Sequence, residues 1–119
     1  LLLRTRAAGP IELRLLSTGG TLHVPHLVDL EVAQTVRRYA RAGELDAERG
    51  RLALSDLADF PMRRHAHEFI LPRIWELRHN LTAYDAAYVA LAEALDAFML
   101  TRDARLASAV GYAARIEVV

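Results

Sequence analysis

The chain has 119 residues, the size of one domain, and is long enough to bury a hydrophobic core without disulfides or a structural metal. It has no cysteine, which excludes disulfides, thiolate metal sites and cysteine nucleophiles and fits a reducing cytoplasm. The 15 cations, all arginine, balance 15 acids, so a strongly basic nucleic-acid footprint is missing, and no apolar run approaches the ~20 residues of a membrane span.

The first twenty-five residues carry the pattern of a helix end and a strand. Three leucines at 1–3 read as the last turn of a helix, so we expect a strand and most of a first helix upstream of residue 1. Gly9-Pro10 breaks this segment, and a short helix is predicted over 11–16. A short strand over 21–24 is stopped by Pro25.

Two helices are predicted next, over 26–41 and 46–58, with Gly43 ending the first. Their apolar residues recur at helical spacing, which predicts that one side of each helix is buried. The expected core residues are Leu27, Leu30, Val32 and Val36 in the first helix and Leu52, Leu54 and Leu57 in the second.

A turn and a short polar strand are predicted over 60–64, followed by a helix over 67–79 with Pro72 in its first turn. The clearest helix in the chain spans 82–96, where alanines favour close packing. The apolar strand 98–100, a short helix over 103–110 and a strand over 116–119 complete the chain.

Strands therefore alternate with helices, which predicts an α/β fold with a mostly parallel sheet and helices on both faces. Ligands of such sheets bind outside the carboxyl ends of the strands. Glu31 lies near the start of a predicted helix, Asp85 heads another, and Asp103 directly follows the strand 98–100. We expect these carboxylates to face one crevice.

Clustered carboxylates repel one another unless a divalent cation neutralises them, and such a cluster is the chemistry of a metal-dependent nuclease. Each acid also has a simpler interpretation. Asp85, in Thr82-x-x-Asp85, can serve only to start a helix and complement its dipole. Thr101 or Asp103 can be an N-cap, and Glu31 can be a solvated acid on an amphipathic helix.

Three sequence segments, in their order and spacing along the chain, favour the metal site over these simpler interpretations. They are Pro25-His26-Leu27-x-x-x-Glu31-Val32-Ala33, Leu81-Thr82-x-Tyr84-Asp85-Ala86-x-Tyr88-x-Ala90-Leu91-Ala92 and Leu100-Thr101-x-Asp103-x-Arg105-Leu106. In them the chain closely resembles the PIN-domain ribonucleases, specifically the VapC toxins of bacterial type II toxin–antitoxin pairs. The resemblance covers the chain from Leu22 onward and is most specific between Asn80 and Leu106.

The resemblance implies a three-layer α/β/α fold around a central, mostly parallel sheet of short strands. It also implies a cluster of acids that holds Mg²⁺ or Mn²⁺ and cuts RNA. By position Glu31, Asp85 and Asp103 match the second, third and fourth family acids, and Thr101 matches the hydroxyl residue that precedes the fourth. Asp85 and Asp103 are then metal ligands, Glu31 is a ligand or orients the attacking water, and Thr101 donates a hydrogen bond near the site.

Nothing in this sequence matches the first family acid, which lies at the end of the family's first and central strand. Two interpretations stay open: the sequence is N-terminally incomplete, or the protein lacks that acid. The expected organisation is a single PIN domain over 1–119, N-terminally incomplete, without its central strand.

The resemblance further implies a cytoplasmic homodimer, a small VapB-type antitoxin that covers the acidic pocket, and transfer RNA or ribosomal RNA as substrate. The missing acid favours an alternative, a catalytically silent PIN-like module that binds RNA or a partner. A response-regulator-like receiver shares the layered fold, but it needs a lysine that this chain does not have.

Histidines, arginines and aromatic residues are further site candidates. His65-x-His67 is the only close histidine pair, and no third zinc ligand stands at typical spacing. The arginines are candidates for phosphate contacts or for local ion pairs: Arg37-Arg38, Arg63-Arg64, Arg73, Arg78 and Arg102. Trp75, Tyr84 and Tyr88 lie on apolar lines and are predicted to be core or interface residues rather than base-stacking platforms.

Overall fold

The computed structural model describes residues 21–101, 105–106, 111 and 115–118. The elements are β1 (Leu22–Pro25), α1 (Leu27–Arg41), α2 (Ala47–Asp59), β2 (Met62–His65), a 3₁₀ turn (Glu68–Ile70), α3 (Leu71–Glu76), α4 (Ala83–Leu95), β3 (Phe98–Thr101) and β4 (Arg115–Val118). Within the described ranges, no helix is long and apolar enough to cross a membrane. The predicted helix over 11–16 and most of the helix predicted over 103–110 lie outside these residues.

The chain divides into two compact units, Leu1–Arg63 and Arg64–Val119. In the first, α1 packs on α2, and Met62 and Arg63 at its end begin β2, the strand that pairs with β1. The Asp46 carboxylate accepts a hydrogen bond from the backbone N–H of Arg49 at 2.8 Å, which caps the start of α2. Gly43 has φ +77°, so the turn after α1 uses the left-handed conformation that glycine adopts without strain.

The core of this first unit differs from the predicted one. Val36 and Leu57 are buried as expected, but Leu30 is 71% exposed and Leu52 is 47% exposed. Leu30 precedes Val36 by six residues, which places it about 120° around the helix from the buried stripe. Apolar spacing identified the helix correctly, but which of its apolar residues are buried depends on the elements that pack against it.

The second unit is built around α4. Leu77, Ala86, Val89 and Leu106 form its buried cluster, and Ile74, Leu81, Met99 and Ile116 pack against them. Four alanines of α4 are buried, Ala86 of the cluster among them, as expected if small side chains let this helix pack closely: Ala86, Ala87, Ala90 and Ala92.

The segment predicted as one helix over 67–79 is instead a 3₁₀ turn followed by the six-residue α3, which ends at Glu76. Pro72 lies in the first turn of α3, as predicted. The buried residues of this segment are Ile70 and Leu77, and Trp75 lies about 140° around the helix from Ile70. Trp75 is therefore 67% exposed, so of the two roles predicted for it the core role is wrong, and the interface role stays a prediction.

In the same unit β3 and β4 pair in parallel, with Phe98 opposite Arg115 and Thr101 opposite Val118. Among the residues described, the strands form two pairs, β1 with β2 and β3 with β4. Phe98, predicted as part of a buried strand, is the first residue of β3 and is 61% exposed, whereas Met99 and Leu100 are half-buried. Short strands, at least one parallel pair and intervening helices together confirm the α/β class.

Candidate functional site

The start of α4 carries the best-defined candidate side chain. Thr82 is the N-cap, and its hydroxyl oxygen accepts a hydrogen bond from the backbone N–H of Asp85 at 3.1 Å. Asp85 therefore lies in the first turn of α4. The sequence pattern Thr82-x-x-Asp85 is confirmed as a helix start, and the side chain that caps it is that of Thr82.

The Asp85 carboxylate takes no part in that cap. Asp85 is half-buried, and within the described part of the chain its side chain makes no hydrogen bond or ion pair. The positive end of the α4 dipole favours an ionised carboxylate at this position. A half-buried carboxylate that keeps its acceptor sites unused is suited to bind a hard cation through oxygen.

Thr101 is the last residue of β3 and belongs to the same unit as Asp85. It is half-buried and stands at the carboxyl end of a parallel strand pair. Ligands of parallel sheets bind at this edge, so the position of Thr101 agrees with a site there. Asp103, two residues further on, lies outside the described residues.

Glu31 belongs to the other unit, in the second turn of α1, and is exposed. Its backbone carbonyl accepts a hydrogen bond from the Thr35 hydroxyl at 3.0 Å, a contact within the helix. The two candidate acids that the structure describes therefore differ in setting. Glu31 is exposed on the surface of α1, whereas Asp85 is half-buried next to Ala86 of the core cluster of the second unit.

Within the described ranges, no three His, Asp or Glu side chains are grouped closely enough to hold a metal ion. This holds for the histidines as well: His65 instead faces Phe69, with the ring centroids 6.4 Å apart. The cluster of Glu31, Asp85 and Asp103 includes one residue that is not described, so it stays a prediction. The donors themselves, carboxylate and hydroxyl oxygens, fit Mg²⁺ or Mn²⁺ and do not fit a soft metal.

Arg73 was expected to contact phosphate or to form local ion pairs, and its contacts are ion pairs within the protein. Its Nε and Nη2 donate to the two carboxylate oxygens of Glu93 at 2.8 and 3.1 Å. Its Nη1 donates to Glu76 Oε2 at 2.9 Å, and Nη2 also donates to the backbone carbonyl of Gly111 at 2.9 Å. The Glu76 contact follows from a spacing of three residues in a helix, but no sequence signal marks Glu93, which is twenty residues away.

Comparison with known proteins agrees with this architecture. Residues 2–111 match the PIN domain family. The chain is 47% identical over 95 residues to "VapC ribonuclease Mb0985" of Mycobacterium bovis, covering 80% of this chain and 75% of that protein. It is 42% identical over 118 residues to "Ribonuclease VapC1" of Mycobacterium tuberculosis, covering 96% and 86%, and 34% identical over 119 residues to "Ribonuclease VapC12" of the same species, covering 100% and 91%.

The α/β architecture and a family match over nearly the whole chain define a PIN-domain protein. The chain belongs to the PIN-domain family, in its VapC group. The resemblance found in the three sequence segments and the PIN-like fold class are thereby confirmed.

Proposed function

We propose that this protein is the toxin of a type II toxin–antitoxin pair and acts as a Mg²⁺- or Mn²⁺-dependent endoribonuclease. Its relatives named VapC ribonucleases support RNA cleavage, since the shared region spans most of each chain. The observation that carries the proposal is the Asp85 carboxylate. It is half-buried, stands at the start of α4 and is not used by the helix cap.

In this proposal Asp85 and Asp103 bind the cation directly or through water, and Glu31 is a third ligand or orients the attacking water. A divalent cation held by these residues would lower the pKa of the attacking water and would stabilise negative charge on the phosphodiester. A neighbouring carboxylate accepts the proton of the water. Thr101 donates a hydrogen bond that orients one of the ligand carboxylates.

The substrate in this proposal is RNA, of the transfer or ribosomal class, and its cleavage inhibits translation. The partners are a cognate VapB-type antitoxin that covers the acidic pocket and a second copy of the chain in a homodimer. The place of action is the cytoplasm. The absence of cysteine fits that compartment.

The test is RNA cleavage by the wild-type protein and by an Asp85→Asn variant, with Mg²⁺, with Mn²⁺ and with a chelator. Asparagine keeps the size and the backbone N–H that bonds to Thr82, so the fold is expected to survive while cleavage is lost. Asp46→Asn is the matched control, because Asp46 is also an acid at a helix start but serves as a cap. Cleavage by Asp85→Asn at the wild-type rate, or cleavage that persists in chelator, contradicts the proposal.

A further inference from the structure

Arg73 joins three separate parts of the unit Arg64–Val119. Its side chain extends from α3 and donates hydrogen bonds to both carboxylate oxygens of Glu93 on α4 and to the backbone carbonyl of Gly111. A guanidinium that binds a carboxylate through two parallel hydrogen bonds fixes the direction as well as the distance of its partner. The Glu93 side chain is only 16% exposed, so water competes weakly for this pair.

The guanidinium is charged at every working pH. Hydrogen bonds to Glu93 first, and then to Glu76, raise the pKa of Arg73 above its ordinary value. Arg73 therefore remains a cationic hydrogen-bond donor to both glutamates.

Gly111 links this contact to the start of α4. It has φ +100°, and a Cβ atom placed on it would lie 2.7 Å from Nδ2 of Asn80. The backbone of Gly111 therefore packs directly against the Asn80 side chain. Asn80 is two residues before Thr82, whose hydroxyl oxygen caps α4 by accepting a hydrogen bond from the backbone N–H of Asp85. Arg73 thus contacts α4 at Glu93 and, through Gly111 and Asn80, supports the loop that begins the same helix.

The core beneath α4 explains why such a contact is needed. Many of the buried residues of α4 are alanine. Small side chains permit close approach but interlock little, so they resist sliding of a helix along its axis less than large side chains do. A polar contact of fixed geometry restrains this sliding. Glu93 lies eight residues, or about 12 Å, along the same helix from Asp85, so holding Glu93 also limits the axial movement of Asp85.

We propose that Arg73 is a positioning residue for the candidate site: by holding Glu93 and Gly111 together, it fixes the axial position of α4 and hence of the Asp85 carboxylate. This inference rests on the proposed ribonuclease function for its catalytic consequence and on geometry alone for its structural consequence. The two consequences are separable by experiment.

The first test compares cleavage kinetics and melting temperature for four variants. Arg73→Gln removes the two parallel hydrogen bonds to Glu93, and Arg73→Lys keeps the positive charge without that planar geometry. Arg73→Gln combined with Glu93→Gln removes both charges of the pair together. Arg51→Gln is the matched control, because Arg51 also pairs with a glutamate three residues away but is 64% exposed on α2.

We expect kcat to fall about 10- to 100-fold in all three Arg73 variants, with KM for RNA nearly unchanged and a higher Mg²⁺ concentration needed for half-maximal rate. Arg51→Gln should leave all of these values at the wild-type level. The double variant distinguishes a positioning role of Arg73 from a role in the stability of the fold alone. It should regain the wild-type melting temperature while kcat stays low; recovery of kcat together with stability overturns the proposal.

The second test does not depend on activity. Hydrogen–deuterium exchange is followed at the backbone N–H groups of Leu81, Asp85 and Ala86, which are hydrogen-bonded at the start of α4. The double variant should exchange these protons faster than both wild type and Arg51→Gln, and equal exchange overturns the positioning role. If the wild-type protein does not cleave RNA, the proposed function fails on that result, and the exchange comparison still decides the role of Arg73.

Discussion

The hydroxyl oxygen of Thr82 lies 3.1 Å from the backbone nitrogen of Asp85, so the N-cap of α4 holds the backbone of a candidate metal ligand. The same contact begins α4, the helix around which the second unit is packed. Because the cap uses the Thr82 side chain, the Asp85 carboxylate is left outside the hydrogen bonds of the helix start. Stability and the direction of the candidate ligand therefore depend on the same hydroxyl group.

Replacing Thr82 tests this double dependence. Thr82→Ala removes the N-cap acceptor and should lower the free energy of unfolding by about 1 kcal/mol, whereas Thr82→Ser should keep it. Chemical denaturation measures both. Asp46→Ala is the control, since it removes a cap of the same kind from α2 and should cost a similar amount. RNA cleavage should fall for Thr82→Ala and not for Asp46→Ala; an equal effect of the two on cleavage contradicts a special role for Thr82.

The helix start at Thr82 could be predicted from sequence because a cap is a local feature, written in adjacent residues. The same is true of the ends of α1, α2 and α4, which the predictions placed within one residue of the observed ones. The exposure of Leu30 and Trp75 could not be predicted, because it depends on which element covers each side of a helix. The Arg73–Glu93 contact was equally hidden, since its partners meet only after α3 packs on α4.

The candidate site divides in the same way. Asp85 was expected at a helix start and lies there, whereas Thr101 was expected after the strand 98–100, as a possible helix cap, and is the last residue of β3. Their joint use with Glu31 and Asp103 around one cation stays a prediction. Convergence of four distant residues is a property of tertiary packing, which no spacing rule in the sequence encodes.

Leu77 and Trp75 are large side chains two residues apart, and their different burial predicts different losses of stability when each is replaced by alanine. Leu77 is 1% exposed in the core cluster, so Leu77→Ala should lower the free energy of unfolding by about 2–5 kcal/mol. Trp75 is 67% exposed and its ring is covered by the Arg78 guanidinium at 4.4 Å, so Trp75→Ala should cost less than about 1 kcal/mol. Urea unfolding followed by circular dichroism, which does not require the tryptophan, measures both. A larger loss for Trp75→Ala than for Leu77→Ala would contradict the assigned faces of α3.

The surface pair of Glu48 and Arg51 should produce a small, pH-dependent contribution to stability. Hydrogen bonding to Arg51 lowers the pKa of Glu48 below its ordinary value of 4.5. Folding therefore gains from this pair above the ordinary pKa, and the gain is lost as the pH falls through the lowered pKa. Glu48→Gln should melt slightly below wild type near neutral pH, and the difference should vanish in acid and in about 1 M salt. A difference that persists under both conditions would require another role for Glu48.

Asp96 ends α4 in the left-handed conformation, with φ 49° and ψ 47°. In this region a side chain with a Cβ atom crowds the following carbonyl, at a cost of about 1 kcal/mol or more, and glycine avoids the cost. Its backbone N–H bonds to the carbonyls of Ala92 and Glu93, so the conformation is held by the end of the helix itself. Asp96→Gly should therefore unfold at a higher denaturant concentration than Asp96→Ala. The expected difference in the free energy of unfolding is about 1 kcal/mol.

The comparison of these two variants isolates the backbone. Both lose every contact of the Asp96 carboxylate, and they differ only in the Cβ atom, so the loss of side-chain interactions cancels. Wild type should lie between them, because aspartate tolerates the left-handed region better than alanine does. Equal stability of the glycine and alanine variants would mean that α4 ends in another conformation in solution, with its last turn unwound. In that case Glu93, three residues earlier, would also lose the fixed position from which it binds Arg73.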